Sequence, residues 1–518
     1  MTLFRSPYPD VPLRDVSITE CVFEGLSKAP DRVVLIDGPT GAGLTGAQLM
    51  DGVRRLAGGL TAQGFGAGHR VALMAPNMPE FATVFHAVAW AGGTITTLNP
   101  TYTAPEIRHQ LQNSGAEMLI TIPAFLAVAQ EALKGTSCRE LVVIGAAEGV
   151  LSLEDLMQDP MPAQIKVDLD RHVVALPYSS GTTALPKGVM LSHRNLVVNV
   201  DQALAVIDIR PDEVMAAFLP FFHIYGMNVM MNTHLVAGAR LVTMPRFDLP
   251  SFLGLVQTHR IRMVMAVPPV ANAMAKHPLI DQFDVSSLKT FVSAAAPLGA
   301  ELSNACGLRL NAQCIQGYGM TELSPISHFA NTDHAKPGAV GVTVPNTICK
   351  IVDPATGEAL GVDQEGELCI KGPQVMLGYL DNPEATARTI DADGWLHTGY
   401  IAAFDQDGQL FIRDRLKELI KVKGFQVPPA EIEAVLQSHP MVQDAAVIGV
   451  PDDEAGERPL AFVVPAPGAD AEVIAAFLRG ALATYKQPLR IDFIDVVPKS
   501  ASGKILRRLL KDQVLKAG

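Results

Sequence analysis

Ser179-Ser180-Gly181-Thr182-Thr183-Ala184-Leu185-Pro186-Lys187-Gly188 is the most informative stretch of this chain. The apolar residues 173–176 precede it, which predicts a strand that leads into a loop. The loop offers hydroxyl groups, backbone N–H groups left open at its glycines and one lysine ammonium, and these groups suit a polyphosphate. It differs from a Walker A loop, which ends in Gly-Lys-Ser/Thr, because Pro186 precedes the lysine and lacks an N–H. A phosphate loop is therefore predicted, and a polar surface turn is the alternative.

The composition predicts a large folded protein with two or more domains. A chain of 518 residues is too long for one hydrophobic core, and 48% hydrophobic with 18% charged residues is not the composition of a disordered chain. The net charge of −12 provides no basic excess for the phosphates of a duplex, which argues against nucleic acid as the main partner. The cysteines form no Cys-x-x-Cys pair, which fits buried thiols in a reducing compartment. They are Cys21, Cys138, Cys306, Cys314, Cys349 and Cys369.

No targeting or membrane-spanning segment is predicted. The first ten residues, MTLFRSPYPD, lack the apolar core of a signal peptide, and no run approaches the ~18 apolar residues of a membrane span. The final Lys516-Ala517-Gly518 is not a peroxisomal address. We therefore expect a cytoplasmic protein without integral membrane association, present as a monomer or a homodimer.

Alternating strand and helix patterns predict the architecture. Short apolar runs such as residues 71–74 are followed by helical patterns such as residues 80–91, which is typical of βαβ units on parallel sheets. From about Ile348 the strands shorten and Asp-Gly turns become frequent, which predicts a small antiparallel region. The expected fold class is α/β. A large N-terminal domain of stacked, mostly parallel α/β sheets and a small β-rich region would occupy residues 1–413, and a small mobile C-terminal α+β domain residues 414–518.

A second glycine-rich stretch, GAGLTG at residues 41–46, fits the Gly-x-Gly-x-x-Gly pattern of dinucleotide-binding loops. Such a site needs an acidic residue about twenty positions further along to bind the ribose. The corresponding region is Phe65-Gly66-Ala67-Gly68, which contains none. The stretch is therefore interpreted as a turn.

The phosphate loop also resembles that of the adenylate-forming superfamily, which includes acyl-CoA synthetases, firefly luciferase and the adenylation domains of peptide synthetases. Other segments resemble motifs of this family in the same order along the chain, and the resemblance covers residues 8–510. These segments are PFFHIYG at 220–226, SAAAP at 293–297, QGYGMTE at 316–322, IRDRLKELIKVKGFQV at 412–427 and PKSASGKILRR at 498–508. Within the superfamily, the sequence is most similar to 4-coumarate–CoA ligases, especially bacterial ones.

The resemblance implies a two-step reaction. The acid and ATP would give an acyl-adenylate and pyrophosphate. The small domain would then rotate about a hinge at Asp414, and the CoA thiol would displace AMP to give a thioester. The implied ligands are ATP, Mg²⁺, coenzyme A and a small carboxylic acid, with 4-coumarate or a related hydroxycinnamic acid expected. A medium-chain fatty acid and transfer to a carrier-protein thiol remain alternatives.

The resemblance also implies roles for individual residues, with Lys504, His223, Thr321 and Glu322 as the catalytic group. Lys504 would offset the repulsion between the attacking carboxylate and the phosphate, and Glu322 would hold Mg²⁺ through a hard oxygen ligand. Tyr318 would stack on adenine. The residues implied to bind ATP or AMP are Ser179, Ser180, Gly181, Thr182, Thr183, Lys187, Ala295, Gln316, Gly317, Tyr318, Gly319, Thr321, Tyr400, Ile412, Arg415, Gln426 and Lys504.

The acid and coenzyme A are assigned their own residues by the same resemblance. Lys423 and Gly424 would contact coenzyme A. Small residues beside aromatic ones would line the pocket for the acyl group, which suits a planar ring. The residues implied to bind the acyl group are His223, Tyr225, Phe291, Ala294, Gly317, Gly319, Pro325, Ile326, Lys417 and Lys421.

The chain departs from the family pattern at a position that bears on ATP. In the family, the segment His397-Thr398-Gly399 is followed by an Asp that bonds both ribose hydroxyls, and here position 400 is Tyr. Losing a charge-assisted bond costs about 1.5–3 kcal/mol, so weakened ATP binding is predicted. Ala402 and Ala184 also stand where the family usually has Gly. A homologue with weakened or absent catalysis is therefore a further alternative.

Overall fold

The structure is a computed structural model that describes residues 2–179, 186–330, 335–423, 425–452, 454–500 and 503–517. Its core is a series of stacked sheets with helices packed on them, as the alternating pattern predicted. In the region of the predicted turn at residues 41–46, the strand Val33–Asp37 pairs with the antiparallel strand Gly43–Thr45. This hairpin differs from the strand–loop–helix of a dinucleotide site, as expected, but its turn lies at residues 38–40 and residues 43–45 form a strand.

The largest sheet has a parallel centre that contains the predicted βαβ units. The helices Pro79–Trp90, Ala104–Ser114 and Leu126–Leu133 connect its parallel strands. In spatial order its strands are Tyr178–Ser179, Lys187–Ser192, Val173–Ala175, Thr94–Thr97, Arg70–Met74, Met118–Thr121, Glu140–Val143 and Leu151–Ser152, with Gly378–Tyr379 paired to Lys187–Ser192. Ser179 and Lys187 are antiparallel partners, so both ends of the predicted phosphate loop lie side by side.

Two further sheets are parallel at one end and antiparallel at the other. One has the order Met263–Ala266, Thr290–Ser293, Gln313–Gly319, Ile326–Phe329 and Val342–Thr343. The other has the order Val214–Ala217, Arg240–Thr243, Val33–Asp37 and Gly43–Thr45. The helices around them are Ile18–Leu26, Gly46–Ala62, Leu153–Leu156, His193–Val206, Thr233–Ala237, Leu249–His259, Pro268–Lys276, Ala300–Leu310 and Pro383–Thr389, with a π-helical segment at Tyr225–Asn232. No described helix has the length and apolar character needed to cross a membrane.

An antiparallel sheet contains the strands from Ile348 onward, where an antiparallel region was predicted, but these strands have five to nine residues and are not shorter than the preceding ones. Its order is Phe4–Arg5, Ile348–Val352, Gly366–Lys371, Leu396–Phe404 and Leu410–Arg415. A separate sheet follows, built of Phe425–Val427, Ile420–Val422, Gly456–Pro465 and Val442–Asp452, with Ile491–Phe493 beside Gly456–Pro465. The helices Pro429–Ser438, Ala471–Ala481 and Arg507–Ala517 accompany it. We call the region from residue 420 onward the small lobe and the rest of the chain the large lobe.

The two lobes are joined at the last strand of the large lobe. Asp414 is buried on that strand, and its Oδ2 accepts the backbone N–H of Ala430 in the small lobe at 2.9 Å. A second contact between the lobes involves the helix Pro268–Lys276. Asn272 Nδ2 donates to the carbonyl of Gln443 in the small lobe, and Lys276 Nζ donates to that of Gln437, each at 2.7 Å. The small lobe therefore rests against the helix Pro268–Lys276 with its terminal loop turned toward the large lobe.

Candidate active site

A cavity of about 650 Å³ lies between the lobes, at the carboxyl ends of the strands Met263–Ala266 and Thr290–Ser293. This is where open α/β sheets bind ligands, because loops leave the strands there. Most of the predicted residues meet in it, although they are spread over 326 positions of sequence between Ser179 and Lys504. The predicted residues that line it are Ser179, Lys187, His223, Tyr225, Ala294, Ala295, Gly317, Tyr318, Gly319, Thr321, Glu322, Pro325, Ile326, Tyr400, Arg415, Lys417 and Lys504.

Other predicted residues lie elsewhere. The candidates Ser180, Gly181, Thr182, Thr183 and Gly424, with Ala184, fall outside the described residues. Lys421 and Gln426 face each other across the small-lobe strands Ile420–Val422 and Phe425–Val427, where their side chains are exposed. Lys423 follows on the same hairpin, and Ile412 lies on the strand Leu410–Arg415 without lining the cavity. In this arrangement of the lobes, the hairpin is not part of the cavity wall.

The structure corrects the prediction at Phe291 and gives Gln316 a different role. Successive side chains of a strand point to opposite faces, so Phe291 enters the core and its neighbour Val292 lines the cavity. The amide of Gln316 accepts the N–H of Leu298 at 3.1 Å and donates to the carbonyl of Leu298 at 3.2 Å. Gln316 therefore fixes the segment after Ala295 rather than lining the cavity itself.

Glu322 offers a carboxylate that is suited to a hard metal ion. Its Oε1 accepts hydrogen bonds from Ser179 Oγ at 3.1 Å and from the Tyr379 hydroxyl at 2.8 Å. Among the described residues, no lysine or arginine forms an ion pair with it. Lys187 lies with its Nζ 3.8 Å from the centre of the Tyr379 ring, and burial lowers the pKa of Lys187. A carboxylate with free lone pairs beside a lysine suits a metal-bound phosphate.

Two aromatic rings and one arginine form the opposite wall. Tyr318 and Tyr400 meet edge to face with centroids 5.4 Å apart. The Arg415 Nε donates to the Tyr400 hydroxyl at 2.7 Å, and its guanidinium carbon lies 5.1 Å from the Tyr400 ring centre. Tyr400 is thus held by Arg415, and its one hydroxyl is already engaged. A phenol in this position offers a neighbouring ligand far less than a free carboxylate does.

Lys504 reaches the cavity from a tight turn of the small lobe. The backbone N–H of Ser500 donates to the carbonyl of Lys504 at 2.8 Å, and Gly503 adopts φ +80°. A side chain at position 503 would come within 3.1 Å of Val267 in the large lobe, so glycine permits the close approach. Burial and, to a smaller extent, the nearby charge of Arg415 together lower the pKa of Lys504 to about 7. The lysine is therefore poised for a ligand that brings negative charge.

His223 presents one defined nitrogen to the cavity. Its Nδ1 accepts the backbone N–H of Tyr225 at 3.3 Å, so the ring hydrogen is on Nε2. Burial and, to a smaller extent, the charge of Lys504 together lower the pKa of His223 to about 4. His223 is consequently a neutral hydrogen-bond donor at neutral pH, which suits an oxygen of a carboxylate.

The inner end of the cavity is mostly apolar. The π-helical segment Tyr225–Asn232 places Tyr225 and Val229 on this wall, and Met265 and Val292 come from neighbouring strands. Ile207, Ile326 and Phe329 complete it. Among the described residues, the buried hydroxyl of Tyr225 has no hydrogen-bond partner. A ligand at this end of the cavity would therefore contact apolar side chains and one polar group, the hydroxyl of Tyr225.

Sequence reasoning missed several of these residues. Tyr379, which contacts both Glu322 and Lys187, stands in no recognised motif, and only the pairing of Gly378–Tyr379 with Lys187–Ser192 brings it there. Val292 was not predicted, because the resemblance pointed to its neighbour Phe291. No local signal marks Ile207 or Phe329 as cavity residues, because their proximity depends on how sheets and helices pack.

The fold and the cavity define a two-lobed α/β protein with a deep cleft whose walls include Glu322 of the large lobe and Lys504 of the small lobe. Residues 22–380 match the model of the AMP-binding enzyme family, and residues 431–504 match that of the AMP-binding enzyme C-terminal domain. The chain belongs to the AMP-binding enzyme family. It is an ATP-dependent acid–thiol ligase that forms an acyl-adenylate and then a CoA thioester.

Curated relatives and solved structures agree with this assignment. The chain is 44% identical to 4-coumarate–CoA ligase 5 of Oryza sativa subsp. japonica, over 98% of this chain and 97% of that protein. It is 41% identical to 4-coumarate–CoA ligase 2 of Petroselinum crispum, over 99% and 97% of the two chains. The anthranilate CoA ligase AuaEII with anthranoyl-AMP superposes with a TM-score of 0.91 at 26% identity, over 98% of each chain. ATP-bound MatB from Rhodopseudomonas palustris gives 0.87 at 29% identity, over 96% and 99%.

Proposed function

We propose that this ligase acts on 4-coumarate or a closely related hydroxycinnamic acid. The relatives named 4-coumarate–CoA ligase match it over nearly their whole length. The observation that carries the proposal is the hydroxyl of Tyr225, buried without a described partner beside Val229, Met265 and Val292. A flat aromatic ring with one polar substituent would fill this apolar space and satisfy the phenol.

Different residues of the cavity have different roles in the adenylation step. The Nε2–H of His223 orients a carboxylate oxygen, while the Lys504 ammonium reduces the repulsion between this anion and the α-phosphate. Tyr318 provides a face for the adenine, and Lys187 lies near the phosphates. The described residues fit Mg²⁺, since Glu322 offers an unpaired carboxylate and Thr321 a hydroxyl beside it. The ion would neutralise phosphate charge when bound.

The second step requires coenzyme A to reach the same cavity. We propose that Asp414, on the last strand of the large lobe, is the hinge at which the C-terminal domain 414–518 begins, and that the small lobe rotates about this residue after the acyl-adenylate forms. The exposed hairpin would then reach the cavity, where Lys423 would contact coenzyme A, Lys421 the acyl group and Gln426 the nucleotide. This assignment, the cytoplasmic location and the state as monomer or homodimer remain predictions.

The substrate assignment is tested by comparing acids that differ by one hydroxyl. We expect 4-coumarate to give the highest kcat/KM for CoA-dependent AMP release, and Tyr225→Phe to lower it for 4-coumarate relative to cinnamate by about fivefold, since a hydrogen bond contributes about 1 kcal/mol. Octanoate serves as the control, because it has no hydroxyl for Tyr225 to bind. If octanoate outperforms both aromatic acids, the medium-chain alternative replaces this proposal.

Tyr400 is expected to weaken ATP binding. Tyr400→Asp should lower the KM for ATP roughly tenfold, because a carboxylate accepts charge-assisted hydrogen bonds from the ribose that a phenol engaged by Arg415 does not. Steady-state kinetics with varied ATP at saturating acid measure the effect. Tyr400→Phe is the matched control, since it frees Arg415 without adding a carboxylate. An unchanged KM in Tyr400→Asp would show that this position does not face the ribose.

Lys504 is expected to take up a proton when ATP binds. Its pKa of about 7 in the free protein leaves much of the ammonium deprotonated at pH 8, and the phosphate charge favours the protonated form. Uptake should therefore be clear at pH 8 and nearly absent at pH 6. Titration calorimetry of ATP binding in buffers of different ionisation enthalpy measures it. Lys504→Arg, which stays charged, should show none, and equal uptake in both proteins contradicts the assignment.

A further inference from the structure

A second cavity of about 1080 Å³ lies behind the apolar end of the first. The end of the helix His193–Val206, the helix Ala300–Leu310 and the start of the strand Gln313–Gly319 contribute to its walls. The space opens to solvent, where Leu308 is 84% exposed and Asp208 and Lys289 also line it. Of the expected catalytic and nucleotide-binding residues that the structure describes, none lines it. The catalytic steps described above make no use of this space.

Only two residues line both cavities, Ile207 and Phe329, in the part of the chain that the structure describes. Both are nearly buried, with 3% and 5% of their surface exposed. Their side chains therefore stand between the two spaces. We call Ile207 and Phe329 the partition.

The backbone of the partition is held by secondary structure. Ile207 follows the helix His193–Val206, and its N–H donates to the carbonyl of Ala203 at 2.8 Å. Phe329 ends the strand Ile326–Phe329 opposite Gly317, where an added side-chain carbon would come within 3.2 Å of the Phe329 ring. The backbone positions are thus fixed, and the two side chains decide whether the cavities connect.

We propose that the partition limits the length of the acid that this ligase accepts, and that the second cavity is the space a longer acyl tail enters once the partition is shortened. This inference rests on the proposed function, because it assumes that the acid lies with its tail against Val229, Met265 and Phe329. A tail longer than the first cavity must displace two buried side chains, whereas a tail that fits leaves them packed.

Substitution of the partition tests the proposal. Ile207→Ala, Phe329→Ala and the double variant are assayed for AMP release with saturated acids of six to sixteen carbons and with 4-coumarate. We expect the ratio of kcat/KM for hexadecanoate to that for hexanoate to rise at least tenfold in the double variant, with the KM for ATP unchanged. Val229→Ala is the matched control, because it enlarges the first cavity without touching the second and should leave the ratio within about twofold.

A binding measurement separates failure of the partition from failure of the proposed function. Displacement of a fluorescent long-chain fatty acid by hexadecanoate is followed without ATP, so it needs no turnover. Tighter binding of hexadecanoate in the double variant supports the partition even if no acid is turned over, whereas equal binding in all variants overturns it. Wild-type protein that already uses hexadecanoate as well as hexanoate also overturns it. Phe329→Leu provides the same test with a smaller loss of packing if the alanine variants do not fold.

Discussion

Lys504→Ala is expected to lower the rate of adenylation roughly a hundred- to a thousandfold, which is the usual cost of removing one preorganised group that stabilises transition-state charge. The reason is that Lys504 brings a cation from the small lobe into a cavity where two anions must meet. Its buried position makes the charge effective, since little water screens it. Exchange of labelled pyrophosphate into ATP in the presence of the acid measures the loss.

The loss should be confined to the first step. Thioester formation from preformed acyl-adenylate and coenzyme A does not require an anion to attack a phosphate, so Lys504→Ala should change it by less than about threefold. Lys499→Ala is the matched control on the same loop, because Lys499 pairs with Asp444 at 2.6 Å within the small lobe. Equal losses in both steps, or an equal loss in the control, would indicate a structural role for Lys504 instead.

Arg507→Met is expected to lower the free energy of unfolding of the small lobe by about 3–5 kcal/mol, as when one partner of a buried ion pair is removed. Arg507 donates through Nη2 to both carboxylate oxygens of Glu433 at 2.8 and 2.9 Å, through Nε to the carbonyl of Val447 at 3.0 Å, and through Nη1 to Glu418. The side chains of Arg507 and Glu433 are only 14% and 9% exposed. Without Arg507, the carboxylate of Glu433 is left buried and unpaired.

The pH dependence of this loss has a definite sign. Burial raises the pKa of Glu433 to about 7, so the folded protein holds this proton more tightly than the unfolded chain does. Stability from this group is therefore present at low pH and is lost as pH rises from the ordinary carboxyl pKa of 4.5 through about 7, and removing the compensating arginine should raise this pKa further and extend the loss to higher pH. Urea unfolding followed by circular dichroism at pH 6 and pH 8 measures it. Arg508→Met, at an exposed neighbouring position, should change stability by less than about 0.5 kcal/mol, and an equal loss there contradicts the account.

The two predictions concern one structural unit. Arg507 lies three residues after Lys504, and its hydrogen bonds anchor the chain that leaves the lysine turn. Ser500 and Gly503 shape the other side of that turn. The lysine therefore extends from a loop that is fixed at both ends, which explains how one flexible side chain occupies a defined place in a cavity between two lobes.

Local chemistry made much of the fold predictable. Parallel strands were predicted from apolar runs alternating with helical patterns. A strand that is buried on both faces of a sheet needs apolar residues at nearly every position, so each strand can be recognised from its own residues. The antiparallel region after Ile348 and a turn close to residues 41–46 were predictable for a similar reason, since turns depend on a few neighbouring residues. The family resemblance also depended on short motifs, each of which is a local feature.

By itself, the sequence determined the class of fold, the family and the identity of the residues able to handle charge, such as Lys504 and Glu322. Only the tertiary structure decided that Val292 rather than Phe291 lines the cavity, that Tyr379 lies against Lys187 and Glu322, and that two side chains separate the acyl pocket from a second space. The physical reason is that such contacts join segments far apart in the chain. Their geometry follows from strand order, side-chain alternation and packing between layers, and none of these can be predicted from one segment of the sequence alone.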